Sequence, residues 1–145
     1  MTNKNKRTGS RNELELSKLL SKELNMEFQR QPLSGSLKDF PGDIYCKDER
    51  WEYSVEVKSV RSFSWDNLYD GTHAQMDKWL TQSHAQSENP LLIFKVSRRG
   101  WYMCQPLVGW SILAHEADCM VYTVYNQHII MTLDEWINTY KRCIE

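Results

Sequence analysis

Residues 30–58 read RQPLSGSLKDFPGDIYCKDERWEYSVEVK, and this stretch decides the fold. Pro41-Gly42-Asp43 opens a short apolar strand, Ile44-Tyr45-Cys46. A charged turn, KDERWE, leads into a second strand from Tyr53 to Lys58. Side chains alternate faces along a strand, so Glu56 and Lys58 point one way and Val57 the other. A hairpin of these strands brings Asp43 beside Glu56. Two carboxylates and one ammonium then converge on one spot.

That donor set points to phosphodiester hydrolysis. Two close carboxylates repel each other unless a cation lies between them. All-oxygen ligands suit a hard ion, Mg²⁺ or in its place Mn²⁺. Such an ion polarises a phosphate and lowers the pKa of a bound water. Lys58 is typed to orient that water or to meet charge in the transition state. The plain alternative is a surface hairpin with a solvated Glu/Lys face. The Pro-Gly ahead of Asp43 and the apolar strand carrying E-x-K favour the chemical reading.

Upstream, Ser10 opens an expected helix running to about Asn25. Leu16, Leu19, Leu20 and Leu24 form its apolar stripe. At helical spacing Glu13 lies on the stripe side and Glu15 points away. Two roles stand open for Glu13. Ser10-x-x-Glu13 has capping-box spacing, the reading the residues alone favour; the other is a third acid for the metal site. Glu23 also falls within the stripe, without a role. Residues 1–9 read as a flexible basic arm: Lys4, Lys6, Arg7 and Arg11 all precede the first acid, and such an arm binds phosphate by counterion release. A strand is expected over 26–30. The loop after it carries Arg30, Ser34 and Lys38, a guanidinium fork, a hydroxyl and an ammonium suited to a phosphate.

Downstream of Lys58, residues 59–71 read as irregular. A helix is expected over 72–86 with Met76, Trp79 and Leu80 on one face; Thr72-x-x-Gln75 fits a capping box, or Gln75 reaches into the site. PLLIFKV, residues 90–96, is a near-continuous apolar strand of the kind buried on both faces. Arg98-Arg99-Gly100 turns into a strand over 101–105. A short helix over 106–115, a hairpin around Asn126-Gln127, and a final helix capped by Thr132 complete the chain. The order predicts an α/β fold: helices on a mixed central sheet, the 90–96 strand beside the Glu56 strand through the intervening helix, then an α+β C-terminal extension from about residue 105.

The 145 residues fit one domain, with enough length for a core without staples. No run of about 18 apolar residues predicts a membrane span, and MTNKNKRTGSR lacks the apolar stretch of a signal peptide. Cys46, Cys104, Cys119 and Cys143 show no C-x-x-C pairing and read as reduced thiols of a cytoplasmic protein. Cys104, His115 and Cys119 match no zinc spacing. Net charge is −1, bland for a nucleic-acid binder, so binding rests on charge placement rather than charge total.

The ordered set Gly9-x-x-x-Glu13, Arg30-x-Pro32-x-Ser34-Gly35, Pro41-x-Asp43, Val55-Glu56-Val57-Lys58, Leu68-Tyr69-x-Gly71, Gln75, Phe94-Lys95 and Gly100-Trp101 resembles the archaeal-type Holliday junction resolvases of the PD-(D/E)XK nuclease superfamily. The resemblance covers about residues 8–103. It implies a restriction endonuclease-like core and a homodimer cutting branched DNA, the four-way junction, with Mg²⁺. It makes Asp43 and Glu56 metal ligands with the Val57 carbonyl, Glu13 an additional acid there, and Lys58 the residue that positions the water. Arg30 and Ser34 then sit by the scissile phosphate and Gln75 at the rim. Two departures stand: Gly42 separates Pro41 from Asp43, and the chain is less basic than the family's pattern. The same core also serves nucleases acting on ends, nicks or flaps, and a non-catalytic DNA-binding module is the reading from another class. The intact set of Glu13, Asp43, Glu56 and Lys58 argues against the last.

Overall fold

The structure, a computed structural model, describes residues 2–31, 42–108, 110 and 122–144. The elements in order are α1 (Thr2–Leu24), β1 (Phe28–Arg30), β2 (Ile44–Cys46), β3 (Ser54–Val60), α2 (Trp65–Asp70), α3 (Ala74–Gln86), β4 (Pro90–Val96), β5 (Gly100–Pro106), β6 (Thr123–Tyr125), β7 (His128–Thr132) and α4 (Leu133–Ile144). The strands form one mixed sheet in the order β1-β2-β3-β4-β5-β7-β6. β3 and β4 are parallel, with Glu56 opposite Leu92 and Lys58 opposite Phe94; the other described pairings are antiparallel. This is the expected α/β architecture, and β4 lies beside β3 through the α2–α3 crossover as the sequence predicts.

Alternation along the strands divides the core in two. Val55, Leu91, Ile93, Met103, Ile129 and Met131 face α1 and α4. Leu92, Phe94, Val96, Cys104 and Ile130 face α2 and α3. Both faces of β4 are thus covered, which is why PLLIFKV carries almost no polar residue. The α1/α4 side is aromatic: Trp136, wholly buried, stacks on Tyr140 with ring centroids 5.0 Å apart and meets Trp51 edge-on at 6.0 Å. Its indole N–H donates to Gln105 Oε1. Trp136→Ala removes that packing and strands the buried Gln105 oxygen; unfolding stability should fall by about 3–5 kcal/mol, read from a urea midpoint.

Four local expectations are corrected. The first helix starts at Thr2, so the segment read as a flexible arm is helical and Ser10 is not its cap. No acid stands in its first turn, so the usual charge signal of a helix start is missing from the sequence. The strand expected over 26–30 is confined to Phe28–Arg30. The stretch read as irregular contains α2, capped by the Ser64 hydroxyl, which accepts from Asn67 N, and stopped by Gly71 in the left-handed region. Six residues show too little periodicity to reveal a helix. α3 is capped by His73, whose Nδ1 accepts from Met76 N at 3.0 Å, not by Thr72.

The C-terminal extension is built into the core: β7 pairs with β5, and Leu133, Trp136, Ile137 and Tyr140 of α4 fill the side shared with α1. Glu23 ties α1 to α4 through Lys141 at 3.2 Å. Thr132 accepts from Glu135 N at the start of α4, as expected of a cap. Of the helix expected over 106–115, Pro106 instead closes β5, and Leu107, Val108 and Trp110 are helical; the rest lies outside the described residues, as do Cys119 and the start of the hairpin strand expected from Asp118. Cys46 and Cys104 are buried free thiols, and Cys143 is not in a disulfide. No helix of the described residues is long and apolar enough to cross a membrane.

Candidate active site

Gly42 sets the site's backbone. Its φ is +105°, and a Cβ there would lie 2.6 Å from the Val55 carbonyl oxygen. Only glycine fits so close to β3 in that conformation. The glycine inserted between Pro41 and Asp43 therefore has a structural reason. Asp43 N then donates to Val55 O at 2.8 Å, its carbonyl accepts from Gln31 N at 2.9 Å, and its side-chain Oδ2 accepts from Val57 N at 2.8 Å. Two of these hydrogen bonds pin Asp43 to β3, at Val55 and Val57 on either side of Glu56, and the third ties it to Gln31. Glu56 and Lys58 project on the Leu92/Phe94 face, as strand alternation requires.

The electrostatics are those of two acids forced together. Glu56 is buried, and its carboxyl is pushed up to about 8. Burial is the main cause, the Asp43 charge the next; the Lys58 ammonium pulls the other way, and a hydrogen bond to Asp43 and the Glu13 charge add to the rise. The Oε1 atom of Glu56 is buried with no hydrogen-bond partner. An orphaned carboxyl oxygen beside a second carboxylate is the donor arrangement a hard divalent cation completes, so Asp43 and Glu56 fit such an ion. Glu13 is also held above its ordinary value, chiefly by burial and despite its bond to Arg30, with the Asp43 charge contributing.

Glu13 stands in the field of this pair but is engaged elsewhere. Arg30 Nε donates to Glu13 Oε2 at 3.1 Å, and Arg30 Nη2 donates to Ser10 Oγ at 3.1 Å. The Ser10-x-x-Glu13 spacing thus serves a guanidinium in place of a helix cap. Among the described residues no group of three His, Cys, Asp or Glu side chains is arranged to hold one metal ion. The described carboxylate pair is Asp43 with Glu56; Glu13 is bonded to Arg30 and lies near enough to feel the Asp43 charge.

The residues proposed for DNA separate. Arg7 and Arg11 are exposed on α1. Arg11 lines a cleft of about 440 Å³ with Asn12, Ser59, Arg61, Lys95 and Ser97, beyond Lys58 along β3. Arg61 and Lys95 were missed from the sequence, because neither sits in a phosphate-type motif. Lys95 pairs with Glu15 at 3.0 Å, and its ammonium lies 5.5 Å from the Trp101 ring centroid. Gln75 is exposed in the first turn of α3, and among the described residues no hydrogen bond ties it to the carboxylates. Ser34 and Lys38 lie outside the described residues.

A family model described as "Phage putative PDDEXK endonuclease" matches residues 4–144. The chain belongs to this endonuclease family. It is therefore a PD-(D/E)XK nuclease, and the matched range includes Pro41-Gly42-Asp43 and Glu56-Val57-Lys58. No curated protein matches the chain. Among solved structures it is similar to Hjc of Archaeoglobus fulgidus, a Holliday junction resolvase from an archaeal hyperthermophile. That match covers 89% of this chain and 87% of Hjc, at 14% identity and a TM-score of 0.43.

Proposed function

We propose that this phage-family nuclease hydrolyses phosphodiesters in branched DNA, cutting a four-way junction in pairs as a homodimer with Mg²⁺, for which Mn²⁺ substitutes. The observation that carries the hydrolytic reading is the buried Glu56 carboxyl, lifted to about 8 and left with an orphaned oxygen beside Asp43. Asp43, Glu56 and the Val57 carbonyl would hold the ion, with Glu13 as the additional acid. When bound, such an ion polarises the phosphate and supplies a nucleophilic water at neutral pH.

The chain's own groups divide the remaining work. Lys58, on the same face as Glu56, orients the attacking water and meets negative charge on the phosphate. Arg30, braced by Ser10 and Glu13, presents its guanidinium toward the scissile strand, with Ser34 and Lys38 beside it in the linear order. Arg11, Arg61 and Lys95, which line the cleft past the β3 end, and Arg7, exposed on α1, would meet the DNA backbone, so affinity should fall with salt. Gln75, exposed in the first turn of α3, would meet the DNA at the rim of the site.

Support for the junction as substrate is the ordered motif set from Glu13 to Trp101, and a two-fold enzyme suits a substrate with two equivalent strands. The test is cleavage of a mobile four-way junction, a linear duplex, a nick and a flap, each with Mg²⁺ and with EDTA, beside the oligomeric state. Symmetric paired nicks from a dimer are the expected result. Equal cutting of linear duplex by a monomer overturns the junction assignment and leaves a nuclease of ends, nicks or flaps. Cleavage undiminished by EDTA overturns the metal.

A further inference from the structure

The cleft past Lys58 has a recessed amide that a passing charge contact does not need. Its base is the end of the two parallel strands, where Ser59 lies opposite Lys95 and Ser97 N donates to the Val60 carbonyl at 3.0 Å. Its wall is α1, from which Thr8, Arg11 and Asn12 line the space. Arg11 is exposed, whereas Asn12, the next residue round the helix, is 6% exposed. Among the described residues the Asn12 side chain makes no hydrogen bond, although it borders a polar cleft. Asparagine is a poor helix former, and a buried amide without a partner costs stability. Alanine would serve α1 better at this position, so the amide answers to a group that enters the cleft.

We infer that the cleft is a phosphate pocket: the Asn12 amide donates to one backbone phosphate of the DNA strand, Arg11, Arg61 and Lys95 surround its charge, and this grip fixes the strand's register on the carboxylate site. The inference rests on the nuclease reading for its DNA and adds which side chain sets the position of the cut. The lining selects a phosphate. Its described residues include three cations and no acid, in a chain of net charge −1. Among the described residues neither Arg11 nor Arg61 has an ion-pair partner, and the surface pair of Lys95 with Glu15 is of a kind a phosphate displaces. Val60 is the one apolar side chain of the described lining and no ring stands there, so a base finds no stacking platform. Phosphate contacts position a strand without reading its bases. Exposed cations let a strand slide, whereas a recessed amide donates to a phosphate in one place. From Lys58 to Val60 is about 7 Å of β3, and a DNA strand advances about 3.4 Å per nucleotide, so the gripped phosphate lies within about two nucleotides of the bond cut.

The experiment measures binding of the full chain to a labelled four-way junction in EDTA. Each interior phosphate near the crossover is replaced in turn, in both equivalent strands, by an uncharged methylphosphonate. Wild type should lose about tenfold in affinity at one position, within about two nucleotides of the bond later cut in Mg²⁺. Asn12→Ala should bind the unmodified junction about tenfold more weakly with the same salt dependence, and lose nothing further at that position. Arg61→Ala should instead lower the salt slope by about one, because a charge is removed. Without DNA, Asn12→Ala should melt at or above wild type, since it sheds an unpaired amide and gains a better helix former. In Mg²⁺ its cuts should spread over neighbouring bonds. Equal loss at every interior phosphate, a response confined to a strand-terminal phosphate, an unchanged position effect in Asn12→Ala, or a variant that melts below wild type overturns the pocket. A position effect without cleavage in Mg²⁺ sinks the nuclease reading alone, cleavage without a position effect sinks the pocket alone, and no binding of DNA by wild type sinks both.

Discussion

Glu56→Gln should raise the melting temperature of the metal-free protein at pH 8 while removing cleavage. The sign follows from proton counting. Glu56 keeps its proton in the folded state up to about pH 8, whereas in the unfolded chain it loses it near its ordinary value of 4.5. Between those values the folded state binds more protons, so stability falls as pH rises. From pH 5 to pH 8 the loss is on the order of 3 kcal/mol, roughly 10 °C for a chain of this size. Glutamine has no charge to bury, so the variant should melt at nearly the same temperature across that range. Saturating Mg²⁺ should restore the wild type at pH 8 and do little for the variant. Cleavage by the variant should drop by about 10²–10³-fold, the scale of losing charge stabilisation at a metal centre. A wild type whose metal-free stability is flat from pH 5 to pH 8 contradicts the buried, repelled carboxyl from which the site is argued.

Asp43→Asn is the complementary case. An amide oxygen still accepts from Val57 N, so the strand contact survives. The charge does not, and with it goes one cause of the Glu56 rise. Stability at pH 5 should therefore match wild type, and the decline toward pH 8 should become shallower. Cleavage should fall by about 10³-fold, because an amide is a poor ligand for a hard cation beside a lone carboxylate. Activity within tenfold of wild type, measured on the same DNA and at the same Mg²⁺, would remove Asp43 from the site. It would revive the reading of a nuclease-like fold that binds DNA without cutting it.

The pair of strands around Asp43 and Glu56 was legible because its signals are local. Alternation places Glu56 and Lys58 on one face, and the run from Pro90 to Val96 announces a strand covered on both sides. The partners of Glu13 were not legible. Ser10 and Glu13 have the spacing of a cap, and only the arrival of Arg30, 17 residues beyond Glu13, shows that they brace a guanidinium. Lys95 likewise meets Glu15 across 80 residues, and nothing adjacent to either foretells it. The C-terminal extension was the least readable part, since its strands are short and its role comes from lying beside β5.

Taken alone, the sequence determined the α/β class, the central strands and the acids and amine of the E-x-K hairpin. These depend on side-chain alternation, apolar runs and turn chemistry, all effects between near neighbours. Tertiary structure alone decided how strongly Glu56 resists ionisation, which cations line the cleft past Lys58, and that two histidines 44 residues apart nearly touch. Burial and charge–charge energies act through space, and which side chains share that space is settled only when helices from both ends of the chain close on the sheet.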